Sequence, residues 1–271
     1  MKNIHLEKRL KIARYVSDEL QKIDNVKMVA ITGSCAIGCP TEKSDIDFQI
    51  AFNELPENTE IDLIKNCLIS KYGNCKQNKY FSMGTVFGLT IENIDMSMFY
   101  GKVDDFKSVV LCGNKMGTEG ESSLSVYYDM LPLYDSLNIC GYIRDNIKYT
   151  NEKQKEILSN KLSNLKDLFN HDFLKISENK IMFLKYKYEI IDNIIEIVYA
   201  LNKRPKRMLD DFIYMSDKLS FYPQYLSSEL LNITSQNNTD IFNKQAKSVI
   251  VKIFDDSCNE ILKANSKIFI N

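Results

Sequence analysis

The stretch Ile31-Thr32-Gly33-Ser34-Cys35-Ala36-Ile37-Gly38-Cys39-Pro40-Thr41-Glu42-Lys43-Ser44-Asp45-Ile46-Asp47-Phe48 decides how this chain is read. The β-branched, apolar run from Val26 to Thr32 has the composition of a buried strand, and it breaks at Gly33-Ser34. Ala36 onward can begin a short helix beyond that turn. Unpaired backbone N–H groups at such a turn favour an anion such as phosphate, and Ser34 adds a hydroxyl. Ten residues later Asp45, Asp47 and Gln49 alternate with Ile46, Phe48 and Ile50, the period-2 pattern of a strand with one buried face. Asp45 and Asp47 therefore share a face while Ile46 points to the core. Two other phosphate loops do not fit. Cys39-Pro40 stands where G-x-x-x-x-G-K-[ST] needs its lysine and hydroxyl, and G-x-G-x-x-G is absent.

Working outward, Leu10, Ala13, Val16, Leu20 and Ile23 recur at helical spacing over residues 4–23, and Ile61 to Lys71 has a helical pattern too. Thr85 to Glu92 and Ile94 to Tyr100 are strand candidates. In the second, Asp95, Ser97 and Phe99 share one face and Met96 and Met98 the other. Twin carboxylates on one strand are hard oxygen ligands suited to Mg²⁺. Phosphoryl or nucleotidyl transfer with two such ions, about 3.5 to 4 Å apart, needs two or three carboxylates. Asp95 is the expected third, with Glu92 the competing choice on a less clearly polar face.

The pattern changes after about Gly101. Residues 102–123 carry Gly113, Gly117 and Gly120 and suggest a crossing loop. Helical periodicity follows over Leu124–Leu131, Ile139–Lys148, Asn151–Phe169, Lys180–Asn202, Pro205–Leu219 and Thr239–Phe269, with Pro205 suited to a first turn. The fold class expected is α+β: an N-terminal domain over 1–110 with a mixed sheet and helices, then a helical domain over 111–271.

Composition bounds the partners. Of 271 residues, 35 are Lys or Arg and 36 Asp or Glu, a formal net charge of -1, which excludes a globally basic coat for nucleic acid; any phosphate chemistry rests on a local site. A hydrophobic content of 44% excludes a disordered chain. No apolar run of about 18 residues is present, so no membrane span is expected. The charged start, MKNIHLEKRLKIARY, is unlike a secretion signal, and a cytoplasmic location with seven free thiols is the expectation. His5 and His171 are the two histidines, too few for a Cys/His zinc set.

Gly33-Ser34, the ten-residue interval, Asp45-Ile46-Asp47 and a later strand acid, Asp95, resemble the nucleotidyltransferase superfamily of the DNA polymerase beta type. The division into an α/β half and a helical half is similar to its small-molecule branch, the aminoglycoside and lincosamide nucleotidyltransferases. The resemblance implies a triphosphate held at Gly33 and Ser34, with Lys43 and Ser44 as helpers. It implies Asp45, Asp47 and Asp95 as catalytic and metal-binding groups, with two Mg²⁺ ions and ATP or another nucleoside triphosphate. The activity implied is transfer of a nucleoside monophosphate, AMP from ATP, to a hydroxyl of a small molecule such as those antibiotics, with a homodimer compatible. Two alternatives stay open: a toxin-like transferase modifying tRNA or protein, and a catalytically silent nucleotide-binding module.

In the helical half, Glu189, Asp192 and Glu196 lie at spacings of three and four on one helix face, where they would meet a cationic acceptor or act as base; the plain reading is a solvated stripe. Lys203-Arg204-Pro205-Lys206-Arg207 would meet phosphates or, more simply, complement a helix end.

Overall fold

Asn3 begins the first helix by accepting hydrogen bonds on its side chain from the His5 and Leu6 amides, so α1 runs over Ile4–Leu20 and buries Ile12, Ala13, Val16 and Leu20 along one stripe. The computed structural model describes residues 3–72, 75–78, 86–113, 124–170, 179–207, 209–257 and 259. After α1 come β1 (Val26–Ile31), the short α2 (Gly33–Ile37), β2 (Ile46–Phe52), α3 (Asn58–Lys71), β3 (Cys75–Asn78), β4 (Val86–Ile91), β5 (Ile94–Lys102), α4 (Val103–Gly113) and β6 (Leu131–Asp135). Then follow α5 (Ile139–Ile147), α6 (Asn151–Phe169), α7 (Lys180–Leu201), a 3-10 helix (Leu209–Met215), α8 (Leu226–Thr234) and α9 (Thr239–Ser257).

The six strands form one mixed sheet in the order β3-β4-β5-β2-β1-β6. Only β2 and β5 run parallel, with Ile46 beside Met96 and Asp47 beside Ser97. One face, with Val29, Ile31, Ile46, Phe48, Met96 and Met98, packs on α1 and α3. The other face is covered at one end: Met28, Ala30 and Ala51 pack against Val103 and Phe106 of α4 and Ile139 and Ile143 of α5. The opposite end of that second face carries Asp47 and Ser97.

The chain divides into compact units at Met1–Ile147 and Lys148–Asn271, later than the expected boundary of 110/111. The reason is that β6 is the sheet's edge strand and α4 and α5 pack on the sheet's second face. Val103, Phe106 and Val110 have the i, i+3, i+7 spacing of a helix inside the stretch expected to be a crossing loop. Residues 124–128 form only a helical turn where a helix to Leu131 was expected. Leu131–Asp135 instead pairs with β1 as an edge strand, a place where Pro132 is tolerated because its missing N–H disrupts no interior ladder. The predicted helix at Pro205–Leu219 shrinks to the 3-10 segment, and α9 is described to Ser257.

In the second unit α7 has Ile190, Ile194, Val198, Tyr199 and Ala200 fully buried and packs on α6 and α9, with Phe183 and Tyr186 meeting the Phe242 ring edge-on. No described helix is long and apolar enough to cross a membrane.

Candidate functional site

Sheet topology brings three distant segments to one end of the first unit. Because β1 is antiparallel to β2, the turn after Ile31 sits beside the start of β2; because β5 is parallel to β2, its start sits there as well. Thr32 N donates to the Asp47 carbonyl at 2.9 Å, which fastens the turn to the acid-bearing strand. Gly33 takes φ +64, a left-handed conformation, and a Cβ built on it would stand 3.0 Å from Asp47 Oδ2. The turn thus lies close beside the carboxylate, and a side chain at 33 would strain the backbone and press on Asp47.

Asp47 is half-buried. Burial, with the Asp45 charge second, pushes its carboxyl up to about 6 from an ordinary 3.8. The two acids are close enough for the Asp45 charge to disfavour ionisation of Asp47, an electrostatic environment that a divalent metal relieves. Two hard carboxylates on one face fit a single such ion. Among the described residues no group of three His, Cys, Asp or Glu side chains converges as a metal cluster, so Asp95 is not drawn into a three-acid site with the pair. Asp95 is exposed, and Thr90 Oγ1 donates to its Oδ1 at 2.6 Å. It precedes Met96 as Asp45 precedes Ile46, so the paired register places it on the same face one strand away. Glu92 lies instead in the two-residue turn with Asn93, both at positive φ, and pairs with Lys8 at 3.4 Å.

Of the expected phosphate helpers, Lys43 is exposed on the loop. The Ser44 hydroxyl is turned into its own loop, where it accepts from Thr41 N at 2.9 Å. Ser34 is half-buried in the turn, followed by buried Cys35, whose Sγ donates to the Asp45 carbonyl at 3.3 Å. Burial pushes the Cys35 thiol up to about 11, so it is a neutral packing group rather than a nucleophile. Thr90 escaped the sequence reading, although counting back from the Glu92-Asn93 turn sets it opposite Asp95.

In the second unit the acidic row is paired internally. Glu196 is 4% exposed and meets Lys161 at 2.7 Å and Lys206 at 3.5 Å; Asp192 meets Lys206 at 2.7 Å. Glu189 makes only a surface pair with Lys185 at 3.7 Å. The basic cluster is absorbed in the same way. Arg207 bridges Asp211 at 2.7 Å, Lys203 Nζ donates to Asn151 at 2.6 Å, and Arg204 sits over the Tyr199 ring. His171 lies outside the described residues.

Residues 11–75 match the family model of a nucleotidyltransferase domain, a span that contains Gly33, Ser34, Asp45 and Asp47 but ends before Asp95. No curated protein matches the chain. Among solved structures, the non-canonical poly(A) polymerase complex GLD-2–GLD-3 is similar at 10% identity and a TM-score of 0.34, over 97% of this chain and 73% of that one. Terminal uridylyl transferase 4 from Trypanosoma brucei with bound dUTP is similar at 10% identity and a TM-score of 0.29, over 92% of this chain and 68% of that one. No residue role is carried over from likenesses this low. The stretch similar to that family model contains Gly33, Ser34, Asp45 and Asp47, and the sheet brings the Gly33 turn beside Asp47.

Proposed function

We propose that this protein is a nucleotidyltransferase that moves a nucleoside monophosphate, AMP from ATP, onto a hydroxyl of a small acceptor. The observation that carries the reading is the closeness of the Gly33 turn to the Asp47 carboxylate, tied by the Thr32 N to Asp47 carbonyl hydrogen bond, which puts the turn and the acid pair in one place. Asp45 and Asp47 are the residues that would hold Mg²⁺. When bound, the ion supplies charge neutralisation for the triphosphate and for the oxygen that leaves with pyrophosphate. Gly33 and Ser34 hold the phosphates from the turn, and Lys43 reaches them from the loop.

Asp95 is assigned the base. Its exposed carboxylate, oriented by the Thr90 hydroxyl, takes the proton of the acceptor hydroxyl. The freed oxygen attacks the α-phosphorus, the bond between that phosphorus and the bridging oxygen to the β-phosphate breaks, and pyrophosphate leaves with the bonding pair. A small acceptor is favoured over RNA by the state of Lys206 and Arg207, whose charges are taken up by Asp192, Glu196 and Asp211 inside the second unit. Of the three acids expected to meet a cationic acceptor, Asp192 and Glu196 are taken up by lysines, and Glu189 makes an exposed pair with Lys185.

The test is transfer of label from α-³²P nucleotides with Mg²⁺, offered in parallel to an aminoglycoside and lincosamide panel, bulk tRNA and cell protein. Label on a small molecule, abolished in Asp47→Asn, is the expected result. Label on tRNA or protein overturns the acceptor assignment. Neither transfer nor metal-dependent nucleotide binding in any arm overturns the reading as a whole.

A further inference from the structure

Arg9 lies on α1, outside the turn and strands that carry the motif, yet its side chain is only 2% exposed. Its guanidinium is held by backbone carbonyls: Nε donates to Ser44 O at 2.8 Å, Nη2 to Ser44 O at 2.5 Å and to Glu42 O at 2.8 Å, and Nη1 to His5 O at 3.1 Å. A second side chain from the start of α1 reaches the same loop, where Asn3 Nδ2 donates to Pro40 O at 3.1 Å. Three carbonyls between Pro40 and Ser44 are therefore gripped from one helix. Burying a guanidinium costs far more than burying an apolar side chain of its size, and core packing alone gives no reason to place one here. What arginine offers is a rigid fork that fixes several acceptors at once, and Ser44, which takes two of its donors, directly precedes Asp45.

We propose that Arg9, with Asn3, is the positioning clamp of the Pro40–Ser44 loop, fixing Lys43 and Asp45 relative to the Gly33 turn so that the nucleotide meets a preformed site. This inference rests on the reading of that turn as the nucleotide site and extends it by assigning α1 a part in it. Arg9 touches neither nucleotide nor acceptor. Lysine keeps the charge but offers one compact donor group in place of a fork, so it cannot hold the Ser44 and Glu42 carbonyls together. Asp47 and the turn are fixed by backbone pairing, Thr32 N on the Asp47 carbonyl and Asp47 beside Ser97, whereas Asp45 precedes β2, and it and Lys43 depend on this loop.

The experiment uses the full chain with Arg9→Lys and, separately, Asn3→Asp. The second variant keeps the oxygen that caps α1 through the His5 and Leu6 amides and removes only the donor to Pro40. Three quantities are read: hydrogen exchange of the amides at 41–45, affinity for Mn²⁺ with and without ATP, and thermal stability. In Arg9→Lys the loop amides are expected to exchange about tenfold faster and Mn²⁺–ATP to bind about tenfold more weakly, the size usual for a residue that orients a ligand from behind. Asn3→Asp is expected to shift both in the same direction by less. Exchange and binding like the wild type in a folded Arg9→Lys protein, or a fall in melting temperature with the loop and metal readouts unmoved, overturns the clamp. Should Arg9→Lys fail to fold, unchanged loop exchange in Asn3→Asp does the same. Wild-type protein that binds no Mn²⁺–ATP, while loop exchange still rises in Arg9→Lys, overturns the nucleotide reading and leaves the clamp standing.

Discussion

Gly33 faces the Asp47 carboxylate so closely that a side chain at 33 would begin 3.0 Å from Oδ2. Gly33→Ala therefore carries two penalties: a left-handed φ of +64, which costs a non-glycine residue about 1–2 kcal/mol, and displacement of the acid. The expected outcome is a loss of about 1–2 kcal/mol in urea unfolding together with loss of Mg²⁺–nucleotide binding. Gly38→Ala is the control. It has φ +85, but its Cβ would meet only Leu6 Cδ2, at an ordinary 3.9 Å. That variant should lose similar stability and keep nucleotide binding.

Asp47 should make the metal-free protein less stable as pH rises. Burial, then the Asp45 charge, puts its folded pKa near 6, above the ordinary 3.8. Between those values the folded chain binds more protons than the unfolded one, so stability falls with rising pH across that window and stays lower above it. Asp47→Asn removes the charge, and is expected to raise stability at pH 7.5 by about 1–2 kcal/mol, a figure reduced for the partial access of the group to water. The gain should vanish below about pH 4, where both side chains are neutral. Urea unfolding of both proteins at the two pH values checks the sign; a variant less stable at pH 7.5 would refute it.

How much of this was legible in the sequence depends on whether the signal was local. The acid pair, the turn and the alternation of Ile46, Phe48 and Ile50 are written within a few residues of each other, and the structure has β1, β2, β4, β5, α6 and α7 close to where periodicity puts them. What failed was read from composition without partners. Leu131–Asp135 has too little alternation to mark a strand and becomes one only because β1 offers an open edge. Val103–Gly113 looked like loop because Asp104, Asp105 and Ser108 interleave its apolar stripe, although they line its outer side. Arg9 resembles any surface cation on an amphipathic helix, and only the fold shows it turned inward to Ser44. For Lys203–Arg207 the simpler reading, a structural one, is the one the ion pairs favour, but the partners themselves, Asp192 and Asp211, could not be named from spacing.

The thiols should report this burial directly. Burial pushes Cys35 up to about 11 and Cys140 up to about 12, while Cys67 is exposed on α3. At pH 8 iodoacetamide should label Cys67 in the native protein and reach Cys35 and Cys140 only after denaturation, as peptide mass spectrometry would show. Rapid native labelling of Cys35 would mean that the turn beside Asp45 is open to solvent.

Glu196 decides between a structural and an acceptor-binding role for the acidic row. Burial works to lower the Lys206 pKa, but the Asp192 hydrogen bond and the Glu196 charge outweigh it, so the ammonium is held above its ordinary value. Glu196 also pairs with Lys161 at 2.7 Å, and is itself 4% exposed. Glu196→Gln leaves two partly buried ammonium groups short of a counter-charge, and should cost about 3 kcal/mol, at the low end for a broken buried pair because both lysines retain some access to water. Glu189→Gln breaks only an exposed pair with Lys185 and should change stability by no more than about 0.5 kcal/mol. If unfolding measurements give that contrast, Glu196 is a strut between α6, α7 and the Lys206 segment. An unchanged melting curve for Glu196→Gln, coupled with a raised acceptor KM, would reverse the assignment.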